Sequence, residues 1–236
     1  MPFMKKHIPN LITLGNLYCG TIATIFAVQE NFKLAALFVV LGIVFDFFDG
    51  FAARLLNVSG ELGKQLDSLA DMVTSGVVPG IIMYHLLDNA SSGVPALKYF
   101  GLLLTLGACY RLAKFNIDTR QSDSFIGLPT PAMSLFIISL PLIQEYTTIE
   151  FVQYLISNHY FLLLITLLLT YLMNAELPLF SLKFKNYNFK NNVVKYLFLI
   201  ASLTLLLSVK YIAIPLVILL YVVLSMIHNY GKKTTI

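Results

Sequence analysis

Long apolar runs separated by short polar segments repeat along the whole chain. Eight runs are long enough, or nearly so, to cross a hydrocarbon layer of about 30 Å as helices. Their predicted boundaries are residues 8–28, 33–55, 65–87, 96–115, 131–147, 159–175, 193–209 and 211–229. The pattern therefore predicts an all-α fold, a polytopic membrane helical bundle with about eight transmembrane helices.

Composition agrees with this pattern. The 236 residues are 58% hydrophobic and only 12% charged, with a mean hydropathy of +0.78, which does not fit an ordinary soluble domain. No polar connection between the runs is long enough to hold a separate soluble domain. Residues 1–236 are predicted to form a single integral-membrane domain.

Basic residues give the predicted orientation, because Lys and Arg accumulate in cytoplasmic loops. With both termini in the cytoplasm, Lys33, Lys98 and Lys210 fall outside and the other 13 of the 16 basic residues fall inside. This asymmetry supports the eight-span topology. The net charge of +4 then reflects orientation and attraction to anionic membrane lipids, and no nucleic-acid partner is predicted.

Four carboxylates, Asp46, Asp49, Asp67 and Asp71, lie within or beside apolar runs. An ionised Asp at the centre of a membrane helix costs about 2.5–3.5 kcal/mol. Each pair is spaced to share one helix face, and the two pairs face each other across the hairpin of the second and third helices. Hard oxygen ligands in this arrangement favour Mg²⁺ or Mn²⁺, and two ions are feasible.

Gly50 directly follows Asp49, and Gly63 lies one helical turn before Asp67. Both glycines remove side chains where a ligand would approach the backbone, although close helix packing would use them equally well. Arg54 is placed to pair with a phosphate at the mouth of the site. A single Arg at a cytoplasmic helix end also has a simpler explanation, because basic residues accumulate on the cytoplasmic side of membrane proteins.

The full pattern D-x-x-D-G-x-x-A-R, eight residues, then G-x-x-x-D-x-x-x-D resembles the signature of the CDP-alcohol phosphotransferases. The resemblance implies a membrane enzyme that cleaves the pyrophosphate of a CDP-linked donor, and it implies a homodimer. It assigns two divalent ions to Asp46, Asp49, Asp67 and Asp71, and it assigns Asp71 as the catalytic base. It also implies a CDP pocket lined by the residues Gly50, Ala53, Arg54 and Gly63.

Four further segments resemble the phosphatidylserine synthase branch of that family. They are Pro9–Gly20, Tyr110–Asn116, Gly127–Ala132 and Leu177–Lys183. This likeness implies CDP-diacylglycerol and L-serine as substrates, in contact with membrane lipids. The distribution of charges places the active site at the cytoplasmic face, and a bacterial or archaeal cytoplasmic membrane is predicted.

Basic residues near the fourth helix are candidates for binding the acceptor. An amino-acid acceptor needs a cation for its carboxylate, and Arg111, Lys114 and Arg120 gather at the cytoplasmic end of that helix. Asn116 and Thr130 could orient the acceptor, but small polar residues at helix ends are as often caps. The basic residues could equally reflect the excess of Lys and Arg on the cytoplasmic side of membrane proteins. The same cluster could also bind glycerol 3-phosphate or inositol phosphate as the acceptor.

Two rival functions use membrane carboxylates differently. An intramembrane prenyltransferase also binds a diphosphate through Asp-rich metal sites, but the G-x-x-A-R continuation after Asp49 argues against it. A divalent-cation transporter would line an ion path with carboxylates. Here the carboxylates cluster toward one membrane face, which favours the transferase.

Overall fold

The computed structural model describes residues 2–58, 60–90, 94–118, 125–180 and 192–233. Ten α-helices occur in these residues: α1 Pro2–Val28, α2 Phe32–Leu56, α3 Glu61–Asp71, α4 Val78–Ala90, α5 Leu103–Ile117, α6 Thr130–Tyr146, α7 Glu150–Ile156, α8 His159–Asn174, α9 Val193–Val209 and α10 Ala213–Lys233. Two short strands, β1 Phe125–Ile126 and β2 Pro178–Leu179, pair antiparallel. The prediction of a helical bundle is confirmed, and each predicted span contains helix.

Polar residues set the ends of α2. The Asn31 side chain accepts a hydrogen bond from the backbone N–H of Leu34 at the start of the helix. At the other end, Asn57 adopts a left-handed conformation with φ 50°, and its N–H bonds to the carbonyls of Ala53 and Arg54. The helix therefore ends about two turns after Asp49, the second Asp of the signature.

The third predicted span is not one regular α-helix. A π-helix, Met72–Val77, separates α3 from α4 and begins directly after Asp71. A wider turn of this kind changes the direction of the side chains that follow it. The fourth span similarly begins as the 3₁₀-helix Leu97–Leu102 before it continues as α5.

In the part of the chain that the structure describes, four helical stretches are long and apolar enough to cross a membrane: His7–Val28, Phe32–Leu56, Glu61–Ala90 and Val193–His228. A fifth candidate is the pair α7 and α8, which is bent by 69°. Large apolar side chains are exposed on these stretches, as with Leu11, Phe47 and Leu207, which are 65%, 66% and 78% exposed. Such surfaces fit a hydrocarbon solvent, and the protein is an integral membrane protein.

The last of these stretches folds back on itself. Lys210 has φ 49° and ψ −116°, which ends α9, and a short 3₁₀-helix, Lys210–Ile212, leads into α10. The ring of Phe198 on α9 lies 5.7 Å from the ring of Tyr221 on α10. Since 23 residues of straight helix would separate these rings by about 34 Å, α9 and α10 pack as a hairpin.

Helices α1 and α2 pack closely against the π-helix. A Cβ atom at Gly20 of α1 would lie 2.2 Å from Thr74 Oγ1, and one at Gly42 of α2 would lie 2.7 Å from Thr74 Cγ2. The absence of side chains at these two positions lets the three helices approach closely. This contact holds the π-helix, and the adjoining Asp71, against α1.

The loop before α6 is fixed to the end of α8. Gly127 donates its N–H to the carbonyl of Leu177, and Leu128 donates to the carbonyl of Leu172. Gly127 has φ +74°, and a Cβ there would lie 2.4 Å from the Met173 carbonyl oxygen, so the position favours glycine. These contacts place Thr130 at the start of α6.

Candidate active site

Three of the four signature carboxylates lie together between α2 and α3. One carboxylate oxygen from each of Asp46, Asp49 and Asp67 lies within 4.8 Å of the others. Ligand oxygens around one octahedral Mg²⁺ are about 3 to 4.2 Å apart, since each bond is about 2.0–2.1 Å long. The three oxygens therefore need only small adjustments to share a cation, and the donor set fits a hard divalent ion.

Asp71 lies next to this group but deeper in the bundle. It is 8% exposed, and its Oδ1 accepts a hydrogen bond from Asn16 Nδ2 at 3.2 Å. It interacts electrostatically with Asp67, with Asp49 and with the guanidinium of Arg111. The predicted four-residue cluster thus consists of three close carboxylates and a fourth beside them.

Helix α1 contributes polar side chains that sequence reasoning did not assign to the site. Thr13 Oγ1 donates a hydrogen bond to Asp49 Oδ2 at 2.6 Å, and Asn16 contacts Asp71 from the next turn. Both α1 residues are buried, at 3% and 0% exposure. Their three-residue spacing on an apolar helix was an available signal, because buried polar residues in membrane helices require partners.

A cavity of about 660 Å³ opens beside the carboxylates, a size typical of small-ligand sites. Its walls include the predicted residues Gly50, Ala53 and Gly63, together with Asp49 and Asp67. Arg54, the fourth residue predicted for the CDP pocket, is exposed on the last turn of α2 and is not part of the described cavity wall.

The glycines leave room in this cavity. A Cβ at Gly50 would have no neighbouring atom nearer than Arg54 Nη2 at 4.0 Å, and a Cβ at Gly63 would lie 3.3 Å from Asn10 Oδ1. A larger cavity of about 710 Å³ lies around Tyr146 and Tyr211, but none of its described lining residues is a carboxylate. Asp49 and Asp67, two of the three carboxylates that could hold a metal ion, line the cavity of about 660 Å³ instead.

The predicted acceptor residues differ in their surroundings. Arg111 is buried beside Asp71, whereas Lys114 forms an ion pair with Glu176 at 3.4 Å. Asn116 Nδ2 donates to Ser68 Oγ at 2.9 Å, and the Asn116 carbonyl accepts from Lys64.

Thr130, also predicted for the acceptor, is buried at 1% exposure. Arg120, the last of the predicted set, lies outside the described residues. Within the described residues, the predicted cation Arg111 is buried and interacts electrostatically with Asp71.

Several buried polar side-chain atoms on the π-helix, α5 and α6 have no hydrogen-bond partner among the described residues. They are Ser75 Oγ on the π-helix, Arg111 Nε on α5, and Thr130 Oγ1 and Ser134 Oγ on α6. The π-helix contacts both α5 and α6. Buried polar groups are normally paired, so each of these four atoms can form a hydrogen bond with a water or a small ligand. Ser75 and Ser134 were not predicted, because a serine in an apolar run gives no functional signal by itself.

The sequence profile of the CDP-alcohol phosphatidyltransferases matches residues 6–230. The chain belongs to the CDP-alcohol phosphatidyltransferase family. Membership confirms the resemblance that the Asp signature indicated.

Individual members of this phosphatidyltransferase family are similar over much of the chain. The CDP-diacylglycerol–serine O-phosphatidyltransferase of Bacillus subtilis (strain 168) is 40% identical over 139 residues, which are 57% of this chain and 75% of that protein. The protein of the same name from Helicobacter pylori (strain J99) is 35% identical over 61% of this chain and 62% of its own length. The archaetidylserine synthase of Methanothermobacter thermautotrophicus is 29% identical over 61% of each chain.

Proposed function

We propose that the protein transfers the phosphatidyl group of CDP-diacylglycerol to the hydroxyl of L-serine, giving phosphatidylserine and CMP. The observation that carries the proposal is the group of three close carboxylates, Asp46, Asp49 and Asp67, of which Asp49 and Asp67 line a cavity of about 660 Å³. The family membership supplies the reaction class. The names of the similar proteins, which specify serine as the acceptor, support the choice of substrate.

The donor would lie in the cavity beside α2 and α3. Asp46, Asp49 and Asp67 would hold the divalent ions, for which we propose two ions of Mg²⁺ or Mn²⁺, with Asp71 as a further ligand. When bound, these ions neutralise charge on the pyrophosphate and on the departing CMP. Gly50, in the open cavity wall, lets the nucleotide approach the backbone.

Ala53 and Gly63 would line the same CDP pocket, since both lie in the cavity wall. Arg54, at the exposed end of α2, would approach a phosphate from the mouth of that pocket.

The transfer forms one bond and breaks one. The serine hydroxyl oxygen attacks the phosphorus that carries the diacylglycerol, and its proton passes to the Asp71 carboxylate as general base. The bond between that phosphorus and the bridging pyrophosphate oxygen breaks, and CMP leaves with the electron pair. The burial of Asp71 beside Arg111 supports this assignment, because the acceptor then meets the base away from bulk water.

Serine would bind on the α5 and α6 side of Asp71. The Arg111 guanidinium is a forked donor for the serine carboxylate, and its Nε has no partner in the described residues. The unpaired hydroxyl of Thr130 would orient the serine. Lys114 and Asn116, both engaged with protein groups, and Arg120 would lie toward the entrance of the acceptor site.

Arg111→Lys is expected to raise the KM for serine about tenfold while the KM for CDP-diacylglycerol changes little. Lysine retains the charge but loses the planar fork that binds both carboxylate oxygens. Steady-state CMP release at varied serine concentration measures this difference. An unchanged KM for serine would remove Arg111 from the acceptor site.

The proposed function is tested by incubating the purified protein with CDP-diacylglycerol, Mg²⁺ or Mn²⁺, and one acceptor at a time. CMP release with L-serine, but not with glycerol 3-phosphate or inositol phosphate, is the expected result. Release with either of the other acceptors would identify a different phosphatidyltransferase. Passage of divalent ions across proteoliposomes without CMP release would instead favour a transporter.

We further propose that all of residues 1–236 form one domain with eight membrane spans, with both termini and the carboxylate cluster at the cytoplasmic face. The excess of basic residues on the side of the cluster supports this orientation, and the ion pairs of Lys33 with Glu145 and of Lys98 with Asp88 lie at the opposite end of the bundle. The membrane would be a bacterial or archaeal cytoplasmic membrane, and the protein a homodimer, as the resemblance implies.

A further inference from the structure

We infer that two residues of α1, Thr13 and Asn16, are positioning residues that fix the carboxylates of Asp49 and Asp71 from outside the family signature. The inference rests on the proposed function, because that function assigns the two Asp residues to metal binding and proton transfer. The contacts themselves join α1 to residues 36 and 55 positions away in the sequence.

The Thr13 hydroxyl has one proton and two acceptors within reach. These are Asp49 Oδ2 at 2.6 Å and the Pro9 carbonyl oxygen at 3.0 Å. The carboxylate is charged and nearer, so it receives the proton, because hydrogen bonds to ionised acceptors are shorter and stronger. Thr13 therefore binds one oxygen of Asp49 and leaves the other for a cation.

This bond matters because the three clustered carboxylates repel one another before a cation binds. With oxygens of Asp46, Asp49 and Asp67 within 4.8 Å, an unrestrained side chain would rotate away from its neighbours. The Thr13 hydrogen bond holds Asp49 in place and so lowers the reorganisation that cation binding requires.

Asn16 holds Asp71 in a defined orientation. Thr74 Oγ1 donates to Asn16 Oδ1 at 2.8 Å, so the Asn16 amide nitrogen faces Asp71 Oδ1 at 3.2 Å. A threonine hydroxyl can donate to the amide oxygen, whereas the amide nitrogen can only donate. The second oxygen of Asp71 remains available for the proton of the acceptor.

The packing around Asn16 prevents this arrangement from relaxing. A Cβ at Gly42 would lie 2.8 Å from Asn16 Oδ1, and one at Gly20 would lie 2.2 Å from Thr74 Oγ1. The Asn16 amide and the Thr74 hydroxyl thus fill the space that Gly42 and Gly20 leave open. The three helices consequently fix the Asn16 side chain as a rigid donor.

Thr13→Val tests the first contact, with Thr24→Val as the matched control. Thr24 lies on the same helix and donates to its own i−4 carbonyl, that of Gly20, at 2.9 Å. Thr13→Val is expected to weaken Mn²⁺ binding about tenfold, the lower end of the effect of outer-shell changes on metal affinity. Thr24→Val should bind Mn²⁺ as the wild type does. Titration of the purified proteins with Mn²⁺, followed by electron paramagnetic resonance, measures binding without any substrate.

Thr13→Ser separates the hydroxyl from the shape of the side chain. It retains the donor and is expected to keep wild-type Mn²⁺ affinity, even in the event that Thr13→Val does not fold. The inference is overturned by unchanged binding in Thr13→Val, by equal weakening in Thr24→Val, or by loss of affinity in Thr13→Ser. Because no substrate is present, these results are independent of whether serine is the acceptor.

Asn16→Asp tests the second contact by replacing the amide donor with a carboxylate oxygen of similar shape. The expected result is a fall in kcat of about 10- to 100-fold, with the KM for CDP-diacylglycerol within about twofold. An equal kcat, or a rise in that KM without a fall in kcat, would show that Asn16 does not position Asp71. A wild-type protein that releases no CMP would contradict the proposed function instead.

Discussion

Asp71→Asn is expected to lower the rate of phosphatidyl transfer by about 100- to 10,000-fold, the usual contribution of a general base. Asparagine preserves the shape of the side chain and can still accept the hydrogen bond from Asn16 through its oxygen. It cannot take a proton from the serine hydroxyl. Steady-state CMP release measures kcat, and an Mn²⁺ titration reports separately on the proposed role of Asp71 as a metal ligand.

The matched control for this variant is Asp88→Asn. Asp88 is also an aspartate on the segment Glu61–Ala90, but it pairs with Lys98 at the opposite end of the bundle. Its replacement should leave kcat unchanged, since an exposed ion pair contributes little. Near-normal turnover by an inserted Asp71→Asn protein would remove Asp71 from the mechanism.

Helix positions follow directly from the apolar pattern, because each run has to bury its backbone polar groups in internal hydrogen bonds. The second span was predicted at residues 33–55 and lies at Phe32–Leu56. Asn31 and Asn57, at its two ends, are polar residues that satisfy the terminal backbone groups. Local sequence therefore determines both the helix and its limits.

The irregular elements could not be predicted in this way. The π-helix Met72–Val77 depends on the approach of α1 and α5, which no local pattern encodes. The helix α7, Glu150–Ile156, is too short to span a membrane and was not predicted. It ends where Asn158 caps the start of α8 and the chain bends by 69°.

The candidate site likewise combines features that the sequence predicts with features that depend on tertiary packing. Spacing predicted that Asp46, Asp49, Asp67 and Asp71 form one cluster, and oxygens of the first three are close together. Spacing could not distinguish Arg111 from Lys114, which lie three residues apart on one helix. Only packing shows that Arg111 is buried beside Asp71 while Lys114 pairs with Glu176.

Asp46→Asn is expected to weaken divalent-cation binding by at least about 100-fold, beyond what outer-shell changes usually cost. One of three close carboxylates loses its charge, so both the attraction for a cation and the repulsion within the cluster decrease. Without metal the variant should therefore be as stable as the wild type or more stable. Activity should be lost from wild type on chelation with EDTA and return with Mg²⁺ or Mn²⁺.

Thermal unfolding with and without metal measures both the stability of the metal-free protein and the stabilisation that metal binding adds. At a free ion concentration 100 times the wild-type Kd, binding stabilises the wild type by about 2.7 kcal/mol, and a 100-fold weaker site gains only about 0.4 kcal/mol. Glu145→Gln is the control, since Glu145 pairs with Lys33 at the other end of the bundle and its loss should leave the metal-dependent shift intact. If metal stabilised the Asp46→Asn protein against thermal unfolding as much as it stabilises the wild type, Asp46 would be excluded from the ligand set. Full activity of the wild type in EDTA would exclude a dissociable metal from the reaction.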